Sequence, residues 1–445
     1  MKKFLPIYII LFAFCCLQCQ LEETNINPNV PTAVPLETLL PPAEQSIADI
    51  MGGDAAVIAG IFSQYFVGVD GLVAPLDKYS IDDAFFMRPI WADFYTSAMS
   101  TLNLIILQST EEEAPHYRGL AKTLQALCLG TASSLWGDIP YTEAFQGVEN
   151  LSPNYDDQAD IYRFVQTLLE EAIVDLQAED SVFSPGEDDL FFAGDLEQWI
   201  KVAYTLQARF ALHTIKRDPG AASIALDALA QGMQEESDGL VYTYNSLEIN
   251  PWSQYFTATP NIQVDPYFQD LLDPDPRYNT MVKSTFGSLF PDEAYTDPAA
   301  PLFIVPFFES EFLRAEALAR TGGEGVEEAL RSAISAHFAA IQVDITEADL
   351  QAFLDATVVL SGNPEEDLAL ILTQKYIAQF MSLESWTDFR RTGFPQLSPN
   401  EGGNNVENPN GEIPRRFPYP INEVLYNPNT PSPLPNLQER MWWDQ

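Results

Sequence analysis

The stretch "PHYRGLAKTLQALCLGTASSLWGDIPY", Pro115 to Tyr141, decides how the rest of the chain is read. Tyr117, Leu120, Ala121, Leu124, Leu127, Cys128, Thr131 and Leu135 recur at three- and four-residue steps, so they share one helix face. Pro115 suits a first helical position, where its missing N–H has no partner to lose. Gly137 can take the positive φ of a helix stop, and Pro140 forbids resumption. Asp138 is placed to hydrogen-bond the loop backbone.

The same pattern spreads outward. Ala159 to Glu179 carries Ile161, Phe164, Val165, Leu168, Ala172, Ile173 and Leu176 on one stripe. Asp195 opens a third helix, with Gln198 placed for a capping box and Trp199, Val202, Ala203, Leu206 and Phe210 as its stripe. Ala43 to Val67, with Gly52 and Gly53 as a break point, and Ile90 to Gln108 also read as helical. Pro219 to Ala230, Ser310 to Arg320, Val326 to Ala340 and Asp367 to Ser382 complete the set. "TGGEG", Thr321 to Gly325, reads as a helix stop and turn. From Asp238 to Phe308, prolines, aspartates and aromatics crowd together, so short β pieces or loops are expected there.

The expected fold is therefore mainly α: an α-solenoid of stacked helix pairs with an irregular, loop-rich part. The helical scaffold covers about 34–235 and 308–382, and the irregular segment about 238–307. A tail over about 398–445, rich in Asn, Pro and Gly, reads as ordered irregular chain, and 19–445 reads as a single domain. No crisp 34-residue repeat is present, so the repeat character is degenerate. The lack of alternating βα units argues against a barrel or a doubly wound sheet.

Net charge is −42, from 22 basic and 64 acidic residues. Such a surface repels phosphate backbones and polyanionic glycans, which disfavours nucleic acid as a ligand. With 46% apolar residues the chain is no disordered acidic tail. Three of its four cysteines stand near the start, in "FCCLQCQLEETNINPN", Phe14 to Asn29. Lys2 and Lys3 precede an apolar run, Phe4 to Leu17, too short for a comfortable membrane span. Residues 1–18 thus read as a lipoprotein signal peptide and Cys19 as the acylated residue, with Cys16 as the alternative. Leu17 and Gln18 make the cleavage box loose. Cys128 is then without a disulfide partner and reads as a small core residue. No later stretch of about 18 apolar residues is expected to span a bilayer.

Two further stretches are too particular for generic core: "LESWTDFRRTGFPQL", Leu383 to Leu397, and "IPRRFPYPINEVLYNPN", Ile413 to Asn429. Arg390, Arg391, Arg415 and Arg416 are expected to pair with carboxylates or carbonyls and pin the tail to the helices, a role that suits the planar guanidinium. With Asn27-Pro28-Asn29, Trp136 to Tyr141, Asp156 to Tyr162, Trp199 to Arg209, Asp275-Pro276-Arg277, Glu311 to Ala317 and Gln374-Lys375-Tyr376, these stretches resemble the SusD/RagB family of Bacteroidetes outer-membrane lipoproteins, in its SusD-like lipoprotein branch. The segment from about Tyr244 to Val264 does not match. The resemblance implies a helical fold of tetratricopeptide-like pairs and a lipid-anchored protein on the outer face of the cell outer membrane. It also implies a SusC-like TonB-dependent transporter as partner, to which captured oligosaccharide is handed. Glu22 and Glu23 resemble the surface-export signal of such lipoproteins.

Ligand residues vary within that family, so the site is sought from chemistry. Sugar binding needs flat aromatic faces with carboxylates, amides or arginines for hydroxyls. Tyr65, Tyr79, Phe85, Asp82 and Arg88 form one candidate group, and Trp252, Tyr255 and Phe256 another. Trp136, Tyr141, Trp386, Trp442 and Trp443 are expected to be core and loop supports instead. There is no GxSxG, HExxH or phosphate-cradling loop, and no catalytic residue, cofactor or metal is expected. His213 reads as structural. The acid clusters Asp82-Asp83 and Glu187-Asp188-Asp189 lack calcium-loop spacing and read as solvated faces. Alternatives are the same capture role for peptide or another nutrient, a surface glycoside hydrolase, and a structural accessory subunit.

Overall fold

The computed structural model describes residues 34–245, 248–258, 261–285 and 287–445. Cys16, Cys19 and the signal segment lie outside the described residues.

The Pro115–Trp136 helix forms as its sequence dictates, with Pro115 at its start and Gly137 at φ 89° just past its end. The expected stripe is buried apart from the half-buried Thr131, and burial pushes the Cys128 thiol up. The helix packs between Ser100–Glu111 and Gln158–Leu176; the latter meets Leu196–His213, which meets Ala221–Leu229. A Cβ on Gly130 would stand 2.3 Å from Phe210 Cε1, so the helices approach where only glycine fits. The Phe307–Thr321 helix then packs on Ala221–Leu229, Val326–Ala340 and Pro364–Ala378. Phe308, Phe312, Leu330, Ile334, Phe338 and Ile371 form a second apolar cluster there. The architecture is mainly α, built of stacked helix pairs, with three two-stranded antiparallel ribbons among the described residues.

Several elements differ from the periodicity reading. The first helical stretch is two helices, Leu36–Gly52 and Asp54–Phe62, broken at Gly53. Burial of Leu36 and Leu40 outweighs the ladder donors that Pro41 and Pro42 remove. Together these helices are long and apolar enough to cross a membrane, contrary to the expectation from sequence, but 72% of their most apolar window is buried in the protein. The second stretch is a longer helix over 83–111 with two π-helical turns, Asp83–Met87 and Asp93–Met99. Helices at Glu347–Thr357 and Glu384–Thr392 were not expected. The latter buries Trp386, Phe389, Arg390 and Arg391, a face that apolar periodicity does not register. Within 238–307 lie short helices, Pro251–Ala258 and Pro266–Leu272, besides the strands. Asp195 caps its helix by accepting from Glu197 N and Gln198 N, yet Gln198 Nε2 donates to Ser237 O, so no reciprocal box forms.

The tail is pinned as the arginines suggest. A helix leaves its last four carbonyls without internal partners. Here Ser133 O accepts from Gly137 N and Gln158 Nε2. Ser134 O accepts from Arg390 Nη1 at 2.6 Å, Leu135 O from Phe417 N at 2.7 Å, and Trp136 O from Arg416 Nη2. Trp136 Nε1 donates to Pro418 O and Trp386 Nε1 to Pro414 O. Arg390 also lies over the Trp386 ring at 3.7 Å. Deeper in, Arg391 Nη1 and Nη2 grip both oxygens of Glu316 at 2.6 and 2.5 Å, and its Nε donates to Asp388. Lys375 pairs with Asp388 from the other side. These cations hold the fully buried Glu316 carboxyl well below its ordinary range, against the effect of burial.

Removing one partner of such a network strands a buried charge. Arg391→Met is expected to lower the unfolding free energy by about 3–5 kcal/mol in denaturant titration. The double change Arg391→Met/Glu316→Leu recovers part of that loss. A loss below about 1 kcal/mol for Arg391→Met would overturn the account.

Candidate functional site

A cleft of about 770 Å³ opens where three elements meet: the break at Gly53, the π-turned helix, and the Pro251–Ala258 helix. Local structure sets each wall. Asp82 Oδ1 accepts from Ala84 N and Phe85 N at 2.8 and 3.0 Å and so starts the helix. Asp83 pairs with Arg88 at 2.8 Å and accepts from Ile421 N. The first π turn leaves Phe85 55% exposed on the cleft wall, and Asp93 begins the second. The ribbon pairing Phe66–Gly68 with Ile262–Val264 draws the irregular segment against the first helices. Val69 N donates to Asn261 O, and Asn261 reaches the cleft beside the exposed Leu72.

Three carboxylates face this space: Asp49, Asp54 and Asp93. Asp49 is pushed up to about 6 by burial, then by the charges of Asp93 and Glu248. Asp93 is raised by burial and by Asp54. Asp54 is raised by burial, while a hydrogen bond with Tyr255 pulls it down. Asp49 and Asp93 keep an exposed edge, but the cleft walls withdraw enough water to disfavour their charge. Gln254 adds an amide at the rim. The wall thus offers an aromatic face, apolar contact, and several hydrogen-bonding groups suited to hydroxyls.

The structure brings Phe85 and Tyr255 together and separates the other expected contacts. Tyr65 is fully buried, stacked on Tyr376 at 4.4 Å, with its hydroxyl donating to Tyr376 O. Tyr79 is buried beneath the tail and accepts from Asn400 N. Trp252 is 2% exposed, packed between Phe66 and Phe256. These three rings are core, because large aromatics in irregular chain still gain most by burial. Phe256 lines a separate cleft of about 620 Å³ beside Lys283 and Glu293. Asp82 and Arg88 shape the turn beneath Phe85 and do not line the cleft.

Asp49, Asp54 and Asp93 escaped the sequence reading. Their one signal is that Asp49 and Asp54 flank the break at Gly52-Gly53, where acids become available to a cleft. The second acid cluster is no solvated face either. Asp189 is 3% exposed and accepts from Phe191 N, Phe192 N, Gly194 N and Trp199 Nε1. Neighbouring Glu44 is pushed well above the carboxylate range by burial and by Asp189. His213 is structural, bonded to the Tyr162 hydroxyl and to Glu384. Trp136, Trp386 and Trp443 are buried supports. Among the described residues no group of three or more His, Cys, Asp or Glu could hold a metal ion.

The chain belongs to the SusD-like family described as starch-binding and associating with the outer membrane, whose model matches residues 28–289 and 276–420. Its structure is similar to that of a SusD/RagB family protein from Bacteroides thetaiotaomicron, with a TM-score of 0.78 and 23% identity, covering 93% of this chain and 99% of that one. It is also similar to a chitin-binding SusD homologue from Flavobacterium johnsoniae, at 0.76 and 21%, covering 92% and 98%. A SusD homologue from Bacteroides fragilis matches at 0.75 and 22%, covering 92% and 100%. At these identities the likeness establishes the fold. No curated protein matches the chain.

Asp49 is expected to titrate with a midpoint near 6, read by carbon-detected NMR on labelled aspartate, and Asp93→Asn should move it down. Because its folded value is raised, Asp49 opposes folding increasingly as pH rises from its ordinary range through about 6. Asp49→Asn should therefore stabilise the protein at pH 7 and leave it unchanged near pH 4. A midpoint at the ordinary carboxylate value would contradict the geometry.

Proposed function

We propose that this chain is a non-catalytic, surface-displayed lipoprotein that captures oligosaccharide and passes it to a SusC-like TonB-dependent outer-membrane transporter. One observation carries the reading for the cleft: an exposed Phe85 shares a wall with Tyr255, Asn261 and three carboxylates, a set suited to both faces of a sugar ring. The family description, starch-binding and associating with the outer membrane, supports the class of ligand and the location. The chitin-binding name of one structural neighbour supports the same class. In this reading Phe85 packs on the apolar face of a pyranose, and Gln254, Asn261 and the carboxylates take its hydroxyls. Tyr65, Tyr79 and Trp252 hold the wall from behind. Cys19 carries the acyl chains that keep the protein at the membrane, beyond the polar stretch that precedes residue 34.

Calorimetric titration with malto- and chito-oligosaccharides, followed by product analysis, tests capture. Saturable binding with unchanged sugar is expected, and Phe85→Ala should weaken it about tenfold, near 1.4 kcal/mol. Cleaved sugar would replace the capture reading with hydrolysis, for which the raised Asp49 is the natural acid. Metabolic labelling with a radioactive fatty acid tests the anchor: Cys19→Ala should abolish incorporation, and retained label lost instead in Cys16→Ala would move the attachment.

A further inference from the structure

The described walls of the cleft carry three carboxylates and no lysine or arginine. Nothing in that described lining balances their charge, and a neutral hydroxyl donates to a carboxylate without compensating it. Here the acids raise one another instead: Asp93 acts on Asp49, Asp54 on Asp93, and Glu248 adds to the field at Asp49. Among the described residues they form no group of three that could hold a metal ion. They line a cleft that also presents Phe85 and Leu72, both more than half exposed. An exposed phenyl and leucine within a concave surface are themselves unsatisfied, because folding normally withdraws such groups from water. A buried polar group stands behind the lining, close to Asp49. Tyr244 is 4% exposed, lies close enough to Asp49 for that charge to act on it, and its hydroxyl has no hydrogen-bond partner among the described residues.

We infer that the cleft prefers a sugar bearing ammonium groups, an oligosaccharide of 2-amino-2-deoxy residues with free amines, over the neutral or N-acetylated oligomer of the same length. The inference rests on the capture reading of this cleft and names its ligand class. An ammonium group at each of successive rings would meet successive carboxylates, while the ring's apolar face lies on Phe85. Three donors on each ammonium match carboxylates that have no ion-pair partner among the described residues. A basic peptide would satisfy the charges but not the flat aromatic wall, and is an outcome of the test.

The experiment titrates the acyl-free chain at pH 6 with three probes: glucosamine hexamer, its fully N-acetylated counterpart, and tetralysine. The free-amine hexamer is expected to bind at least tenfold more tightly than the acetylated one, with an affinity that falls as salt rises. Asp49→Asn/Asp93→Asn should erase most of that preference, weakening the free-amine hexamer at least tenfold and the acetylated hexamer far less. Glu365→Gln/Glu366→Gln, on exposed acids at the start of a distant helix, should leave the preference intact and so separates the cleft from the general field of an acidic protein. Phe85→Ala should weaken both hexamers. Equal affinity for the two hexamers would overturn the charge preference and leave capture standing. Tetralysine binding as tightly as the free-amine hexamer would overturn the sugar preference. Binding of neither hexamer would overturn this inference, and the malto-oligosaccharide titration would then decide the capture reading by itself. Circular dichroism of each variant confirms that a lost affinity is not a lost fold.

Discussion

The end of the Pro115–Trp136 helix is the constraint on which the rest of the structure depends. A helix this deeply buried cannot leave its final carbonyls to water. Arg390, Phe417 and Arg416 satisfy Ser134, Leu135 and Trp136 in turn. Those donors are brought from more than 250 residues away. Guanidinium groups also suit the negative end of the helix dipole. Among the described residues Arg390 has no carboxylate bonded to it, and burial pushes it down to about 9; carbonyls, the Thr387 hydroxyl and the faces of Trp386 and Trp443 receive its charge instead. The irregular tail thus serves as the cap of a central helix, and the scaffold cannot close without it.

The cleft depends on the same scaffold one step removed. Tyr79 lies under the tail and accepts from Asn400 N, so the turn that follows it, where the helix bearing Phe85 begins, is held by tail residues. Gln64, next to Tyr65, donates to Ser398 O in the same way. Asp83 accepts from Ile421 N, which ties the first π turn itself to the tail. Packing behind the wall leaves Phe85, Leu72, Gln254, Asn261 and the acids to face the cleft, which is the arrangement a preformed binding site needs.

Much of the fold was legible because apolar spacing and punctuation agree. Pro115, the stripe to Leu135, Gly137 and Pro140 all point to one helix with one end. The helix at Glu384–Thr392 was not legible as a helix, since its buried face is Trp386, Arg390 and Arg391, although those arginines did signal ion pairing. The candidate site was legible only in part. Phe85 and Tyr255 were singled out by composition, but Tyr65, Tyr79 and Trp252 have the same chemistry and are buried. Side-chain type cannot distinguish a ring that packs from a ring that faces a ligand. Asp49, Asp54 and Asp93 passed unnoticed among 64 acids.

By itself the sequence determined most of the scaffold helices and their order, the family resemblance, and an arginine-bearing tail pinned to the helices through carboxylates or carbonyls. Those properties follow from local periodicity and from residues whose chemistry admits few roles, such as a proline after a glycine or paired arginines in an acidic chain. Only the tertiary structure decided which carboxylates share a cleft and which aromatics stay exposed. Asp49 and Asp93 are separated by a helix break, a ribbon and two turns, and they influence each other because packing places them on one wall. Electrostatic coupling depends on distance and on the water left between charges, and neither quantity is written along the chain.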